Sequence, residues 1–233
     1  MFFGPFLFDY WYFILVVPAL LFAGYCSANV NNTFSKYSKI RSYSNLTGAE
    51  VAQRILSNNG IFDVNIVKGR GKLTDHYDPR KRLLVLSEAV FDKTDVAALG
   101  VAAHEVGHAI QHNTGYSFLK LRNSIVGVTN FASRISPILL ILGLFTGYGI
   151  LVDIGIILFG GAVIFQLITL PVEYDASRRA LSNLESCGIL QNDEISSSKK
   201  VLNAAALTYV AGLLVAVASF LRVLLIFGGR RND

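Results

Sequence analysis

The 233-residue chain predicts a membrane protein, mainly α-helical, with about four transmembrane helices and a small α+β unit. Three observations predict it. Hydrophobic residues make up 52% and charged residues only 16%, against roughly 25% charged in a soluble domain. The apolar residues gather into four runs separated by polar chain. Fourteen of the 21 Lys and Arg lie between residues 29 and 134. This composition excludes a disordered chain and argues against a wholly soluble globule. The net charge of +5 fits basic loops beside membrane helices and gives no reason to expect a nucleic-acid partner. Cys26 and Cys187 match no metal or redox spacing and make no disulfide framework.

The first segment, 1–28, holds the run from Tyr10 to Gly24, extended backward by Phe2 to Phe8. It lacks a basic n-region, and Asp9 precedes its apolar core, so it reads as an uncleaved transmembrane helix. Residues 29–134 form the α+β unit. Thr47-Gly48-Ala49-Glu50 has the form of a capping box, with Val51, Ile55 and Leu56 as the apolar face behind it and Asn58-Asn59-Gly60 as its end. Ile61 to Val67 and Arg82 to Leu86 read as strands, the second following an Asp78-Pro79 turn. Asp95 to Asn113 has no proline and many alanines, with Gly115 just beyond, and predicts one long helix. The stretch 135–171 has 37 residues, too many for one span. Splitting it at Thr146-Gly147-Tyr148-Gly149 gives a hairpin of two short helices. Residues 172–200 are a loop or helix behind Pro171. Residues 201–233 form the last transmembrane helix and its tail, with Arg222 expected to snorkel to the far interface. If the hairpin crosses twice, Lys36, Lys39, Arg41, Lys120, Arg122, Arg134, Arg178, Arg179, Lys199 and Lys200 share one face. The positive-inside rule then places 29–134 and 172–200 in the cytoplasm, with Arg230 and Arg231 a mild counter-signal.

Chemistry resides in His104-Glu105-Val106-Gly107-His108. Two His at i and i+4 lie on one helical face, so both imidazoles reach one zinc ion. A catalytic zinc takes three protein ligands and leaves one position for water. Glu105, beside them, is placed to act as general base and then acid. His112 cannot share the ion with His104, because eight helical residues advance ~12 Å while two zinc ligands lie at most ~4 Å apart. It is expected to be a helix-end residue beside the C-terminal dipole. The favoured third ligand is Glu173, which opens the segment after Pro171 on the side to which two crossings return the chain; Asp175 is its rival. Oxyanion stabilisation needs a donor, and His76, Tyr77 and Arg178 are the candidates. The strand before His76 is a candidate edge for holding an extended peptide.

These residues carry a resemblance. His104-Glu105-Val106-Gly107-His108 together with Glu173-Tyr174-Asp175-Ala176 looks like a gluzincin membrane metallopeptidase. The chain most resembles the bacterial neutral zinc metallopeptidase family 2, the YugP-like membrane proteases. Leu73-Thr74-Asp75-His76-Tyr77-Asp78-Pro79 and Leu170-Pro171-Val172-Glu173-Tyr174-Asp175-Ala176-Ser177 look like stretches of that family, and the likeness covers nearly the whole chain. More distantly the chain is similar to the HtpX and Ste24 proteases, whose third ligand is the Glu of Glu-x-x-Ala-Asp. Here Ser177 stands at the last position and could give a zinc-bound His only a neutral hydrogen bond, which leaves the support that the Asp gives open to another residue. The resemblance implies a zincin-like cytoplasmic domain at 29–134 and one Zn2+ per chain held by His104, His108 and Glu173. It further implies a bacterial cell-membrane location and peptide or protein substrates, membrane-associated ones foremost.

Two other readings compete with a membrane-anchored endopeptidase. One is an intramembrane zinc protease, with Asp95 to Asn113 inside the bilayer. Charged flanks (Asp92, Lys93, Asp95, Lys120, Arg122) oppose it, as do the basic loops that it would put on both faces. The other is an inactive membrane scaffold. The intact His104, Glu105 and His108 speak against decay.

Overall fold

A computed structural model describes residues 9–71 and 74–228. The apolar stretch at Phe2 to Phe8, Leu73 and the tail arginines Arg230 and Arg231 lie outside the described residues. The elements in chain order are a π-helical turn (Tyr12–Val16) leading into α1 (Val17–Tyr37), α2 (Gly48–Asn58), β1 (Asn65–Lys68), β2 (His76–Asp78), β3 (Leu83–Leu86), α3 (Val96–Asn113), α4 (Ser117–Thr146), α5 (Gly149–Ser186) and α6 (Asn192–Gly228). The protein is mostly helical with one small sheet. Among the described residues four helices are long and apolar enough to cross a membrane: Tyr12–Tyr37, Ser117–Thr146, Gly149–Ser186 and Asn192–Phe227.

Contacts divide the chain into two compact units. One contains residues 28–120 and 171–207. Its core joins Val51, Ile55 and Leu56 of α2, Leu84 and Leu86 of β3, Leu99 and Val106 of α3, Leu184 of α5 and Leu202 of α6. The capping box is present: Thr47 N–H donates to Glu50 Oε2 at 2.8 Å, and Glu50 N–H to Thr47 Oγ1 at 3.3 Å. The sheet order is β1-β3-β2, with β1 parallel and β2 antiparallel to β3. Residues 76–78, expected between two strands, are thus themselves an edge strand. A further support comes from Asp75, whose carboxylate takes the Ser87 N–H at 2.7 Å and the Ser87 hydroxyl at 2.9 Å.

The second unit is built from residues 9–27, 121–170 and 208–228. The hairpin turns at Gly147, whose φ of 74° suits a residue without Cβ. Its arms are long, not short. α4 has 30 residues and α5 has 38, so the boundaries expected at 134 and 171 both fall inside helices. Charge at Arg122 and Arg134 marks a helix surface here and not a loop, and Pro137 and Pro171 are carried inside helices. The last helix likewise begins at Asn192, with Asp193 and Glu194 in its first turn where the dipole favours acid. Arg222 has a partner: its guanidinium holds Asp9 Oδ2 at 2.6 and 2.8 Å and sits 5.2 Å from the Tyr12 ring centre.

Candidate metal centre

α3 supplies the first two candidate ligands. Asp95 caps it, accepting from Ala98 N–H at 2.9 Å. Burial pushes the Asp95 carboxyl up from its ordinary value, against the pull of the capping amides. Ala97, Ala98, Ala102, Ala103 and Ala109 are all buried, so neighbouring elements approach the helix closely. His104 and His108 fall on one face, their ring centroids 4.8 Å apart and the rings nearly perpendicular at 83°.

α5 brings the third group. Glu173 is 3% exposed, and its Oε2 lies 3.4 Å from His104 Nε2 and 3.6 Å from His108 Nε2. One ligand atom from each of the three lies within 4.8 Å of the others. The approach depends on Gly107. A Cβ there would sit 2.6 Å from the Ala176 carbonyl oxygen, so α3 and the Glu173 segment meet backbone to backbone. Burial disfavours the charge on Glu173. The close approach of His104 and His108, and their charge, outweigh it and hold the carboxyl well below the usual range. Burial likewise opposes charge on His108, yet the close approach of Glu173, then the charges of Glu173 and Glu105, keep its proton affinity above the ordinary value.

The donor set tests the fit to zinc. Two imidazole Nε2 atoms and one carboxylate oxygen converge, while the far nitrogens are engaged elsewhere. His104 Nδ1 meets Ser177 Oγ at 3.1 Å, and His108 Nδ1 meets Gln111 Oε1 at 3.0 Å. Three protein groups with engaged outer nitrogens suit a metal with one position left for water, so the residues fit the ion.

The family described as "Putative neutral zinc metallopeptidase" matches residues 12–228. The chain belongs to this family. It is 47% identical over 222 residues to "Putative membrane protease YugP" of Bacillus subtilis (strain 168), across 95% of this chain and 99% of that protein. No solved structure matches the chain.

Within this member of the family, the sequence-derived candidates are not all brought together. His104, His108, Glu173 and Ser177 converge. Glu105 is 9% exposed on α3, near enough for its charge to act on His108. Tyr77, on β2, reaches His112 instead: its hydroxyl lies 2.9 Å from His112 Nδ1, one turn past His108. Burial raises the Tyr77 hydroxyl above its ordinary value, so it remains a neutral O–H. His76 is exposed and pairs through Nδ1 with the Thr74 carbonyl at 2.9 Å. Arg178 is 77% exposed at its side chain and pairs with Asp175. Asp175 faces Gln111, Arg178 and Arg179 rather than the histidines, which removes it as the rival ligand. Sequence reasoning missed Gln111 as a site residue. The signal was present: a carboxamide three residues past His108, hence on its face, in a helix that is otherwise mostly apolar.

Proposed function

We propose that this protein is a membrane-anchored zinc-dependent endopeptidase that acts on peptide or protein substrates, membrane-associated ones foremost, at a cytoplasm-facing site with one Zn2+ per chain. The observation that carries the reading is the convergence of His104 Nε2, His108 Nε2 and Glu173 Oε2 on one point. The "membrane protease" name of the Bacillus subtilis relative supports the substrate class, and the basic loops support the orientation. The burial of α3 in a core shared with α2 and β3 favours a site in a folded unit over one bathed in lipid.

Zinc held there would supply a Lewis acid for the scissile carbonyl and lower the pKa of a bound water. The protein's residues do the rest. His104, His108 and Glu173 hold the ion. Glu105, flanked by both histidines in sequence, takes the proton of the attacking water and returns it to the leaving amine.

Two substitutions test this reading. Glu105→Gln should keep about one zinc per chain and lose proteolysis by about 10²–10⁴-fold. Comparing the membrane proteomes of wild type and Glu105→Gln reads activity and substrates together. Equal turnover in that variant removes Glu105 as the base. Glu173→Ala should lose zinc by elemental analysis; full occupancy removes it as the third ligand.

A further inference from the structure

We infer that Gln111 is a positioning residue that presets His108 as the Nδ1–H tautomer and fastens the Glu173 segment of α5 to α3. The inference rests on the zinc reading and adds to it a residue outside the ligand set. Gln111 is 0% exposed, so every polar atom of its amide has to find its partner within the protein. Three partners are present. One is the Val172 carbonyl, 2.8 Å from Nε2; the second is Asp175 Oδ2, 3.0 Å from Nε2; the third is His108 Nδ1, 3.0 Å from Oε1.

The orientation of an amide is an assignment, and here the neighbours dictate it. A backbone carbonyl only accepts. The Val172 oxygen therefore requires the NH2 group of Gln111 on its side, and this places Oε1 against His108. An amide oxygen also only accepts, so His108 Nδ1 must carry a proton. The lone pair of His108 is thereby committed to Nε2, the nitrogen 3.6 Å from Glu173. His104 has no such lock, since the Ser177 hydroxyl that meets its Nδ1 can donate or accept. The two zinc-facing histidines are thus prepared differently, and only one has its ligating nitrogen chosen in advance.

The same amide ties the two ligand-bearing helices together. Val172 immediately precedes Glu173, and Asp175 lies two residues beyond it. Both of Gln111's N–H donors thus go to backbone and side chain on either side of the third ligand. Asp175 is in turn gripped by Arg178 and by Arg179, the latter at 2.6 Å, and the Arg179 guanidinium lies 5.8 Å from the Tyr116 ring centre. Tyr116 N–H returns to the Gln111 carbonyl at 2.9 Å, closing the end of α3 around the same residue.

The test uses the full-length chain in detergent. Gln111→Met keeps approximate volume and removes every hydrogen bond of the amide. Zinc affinity, by chelator competition, should fall about 10–100-fold, the range for loss of a partner behind a zinc-bound His. The visible spectrum of the Co2+-substituted variant should change as His108 loses its fixed orientation. Wild-type zinc affinity with an unchanged cobalt spectrum overturns the inference, whatever happens to the melting temperature. Should Gln111→Met fail to fold, nitrogen-15 NMR of the zinc-loaded wild type decides. The inference requires a proton on His108 Nδ1 and metal at Nε2; the reverse assignment overturns it. A wild type that binds no zinc, or a Glu173→Ala variant that binds it fully, overturns the underlying zinc reading instead. Wild-type binding with loss in Glu173→Ala and no loss in Gln111→Met overturns only the role of Gln111.

Discussion

At the scale of single residues, the pairing of His108 with Glu173 makes protons and zinc compete for one nitrogen. In the zinc-free protein burial disfavours charge on both groups, yet the pair holds His108 above its ordinary 6.5 and Glu173 well below its ordinary 4.5. A raised histidine stabilises the fold fully below its unfolded value and loses that contribution as pH rises through the folded value. A depressed carboxylate stabilises above its unfolded value and loses that contribution as pH falls. The zinc-free protein should therefore gain most from this pair between about pH 4.5 and 6.5, and its melting temperature should fall as pH rises beyond the histidine range. Zinc requires the deprotonated nitrogen, so the increment in melting temperature on adding zinc should grow over the same rise. Thermal scans from about pH 5 to about pH 8, with and without zinc, measure both trends. A zinc increment that shrinks with pH contradicts the shared nitrogen. At this scale the candidate ligands were legible in the sequence, and their partners only in part. His104 and His108 share a face by helical spacing alone, which is local. Ser177 was reached through the resemblance, whereas Gln111, three residues past His108, was passed over because its bonds to Val172 and Asp175 depend on the crossing of two helices distant in the chain.

Among the elements, the contact between α3 and α5 is the sensitive joint. Gly107, the fourth residue of the histidine motif, lies where a Cβ would meet the Ala176 carbonyl at 2.6 Å. Backbone cannot retreat as a flexible side chain can, so the helices must separate. Gly107→Ala should raise helix propensity and still destabilise the protein by about 1–3 kcal/mol through overpacking. It should also weaken zinc binding, because Glu173 stands one helical turn before Ala176 and moves with it. Chemical denaturation and chelator competition on the same variant measure the two effects. Unchanged stability and zinc affinity would show that the helices have slack at this point. Elements whose ends are encoded locally were read correctly: the Thr47–Glu50 box opens α2, and Asp95 and Gly115 bracket α3. The turn between α4 and α5 falls where Thr146-Gly147-Tyr148-Gly149 put it, but the start of α4, the end of α5 and the start of α6 were missed. Arg134, Pro171 and Lys199 look like interruptions in an apolar run, but a helix anchored by tertiary contacts continues past a polar residue or a proline. The three-residue β2 was missed for a related reason: so short a strand draws its identity from pairing with β3, which its own residues do not encode.

Over the whole molecule, the shared core constrains the topology. Residues before α4, such as Val51 and Leu99, pack in one core with residues near the end of α5 and the start of α6, such as Leu184 and Leu202. If α4 takes the chain into a membrane, the chain must leave on the side where it entered, so α4 and α5 are expected to cross as a pair. The division by sequence agrees with this: 28–120 carries twelve Lys and Arg and 171–207 carries four, together sixteen of the 21. The basic composition that distinguishes the chain is thus concentrated in the unit that carries the candidate metal centre, which is the asymmetry the proposed cytoplasmic orientation rests on. Tyr43, 83% exposed in this unit, offers a reporter. With Cys26 and Cys187 replaced, a Tyr43→Cys variant should resist a membrane-impermeant maleimide in intact cells and react fully once the cells are opened. A second cysteine at Tyr148, 65% exposed in the hairpin turn, should show the opposite pattern. Labelling of Tyr43→Cys in intact cells would place the metal centre outside and redirect the search for substrates to the outer surface. Labelling of both positions from the same side would break the paired crossing itself.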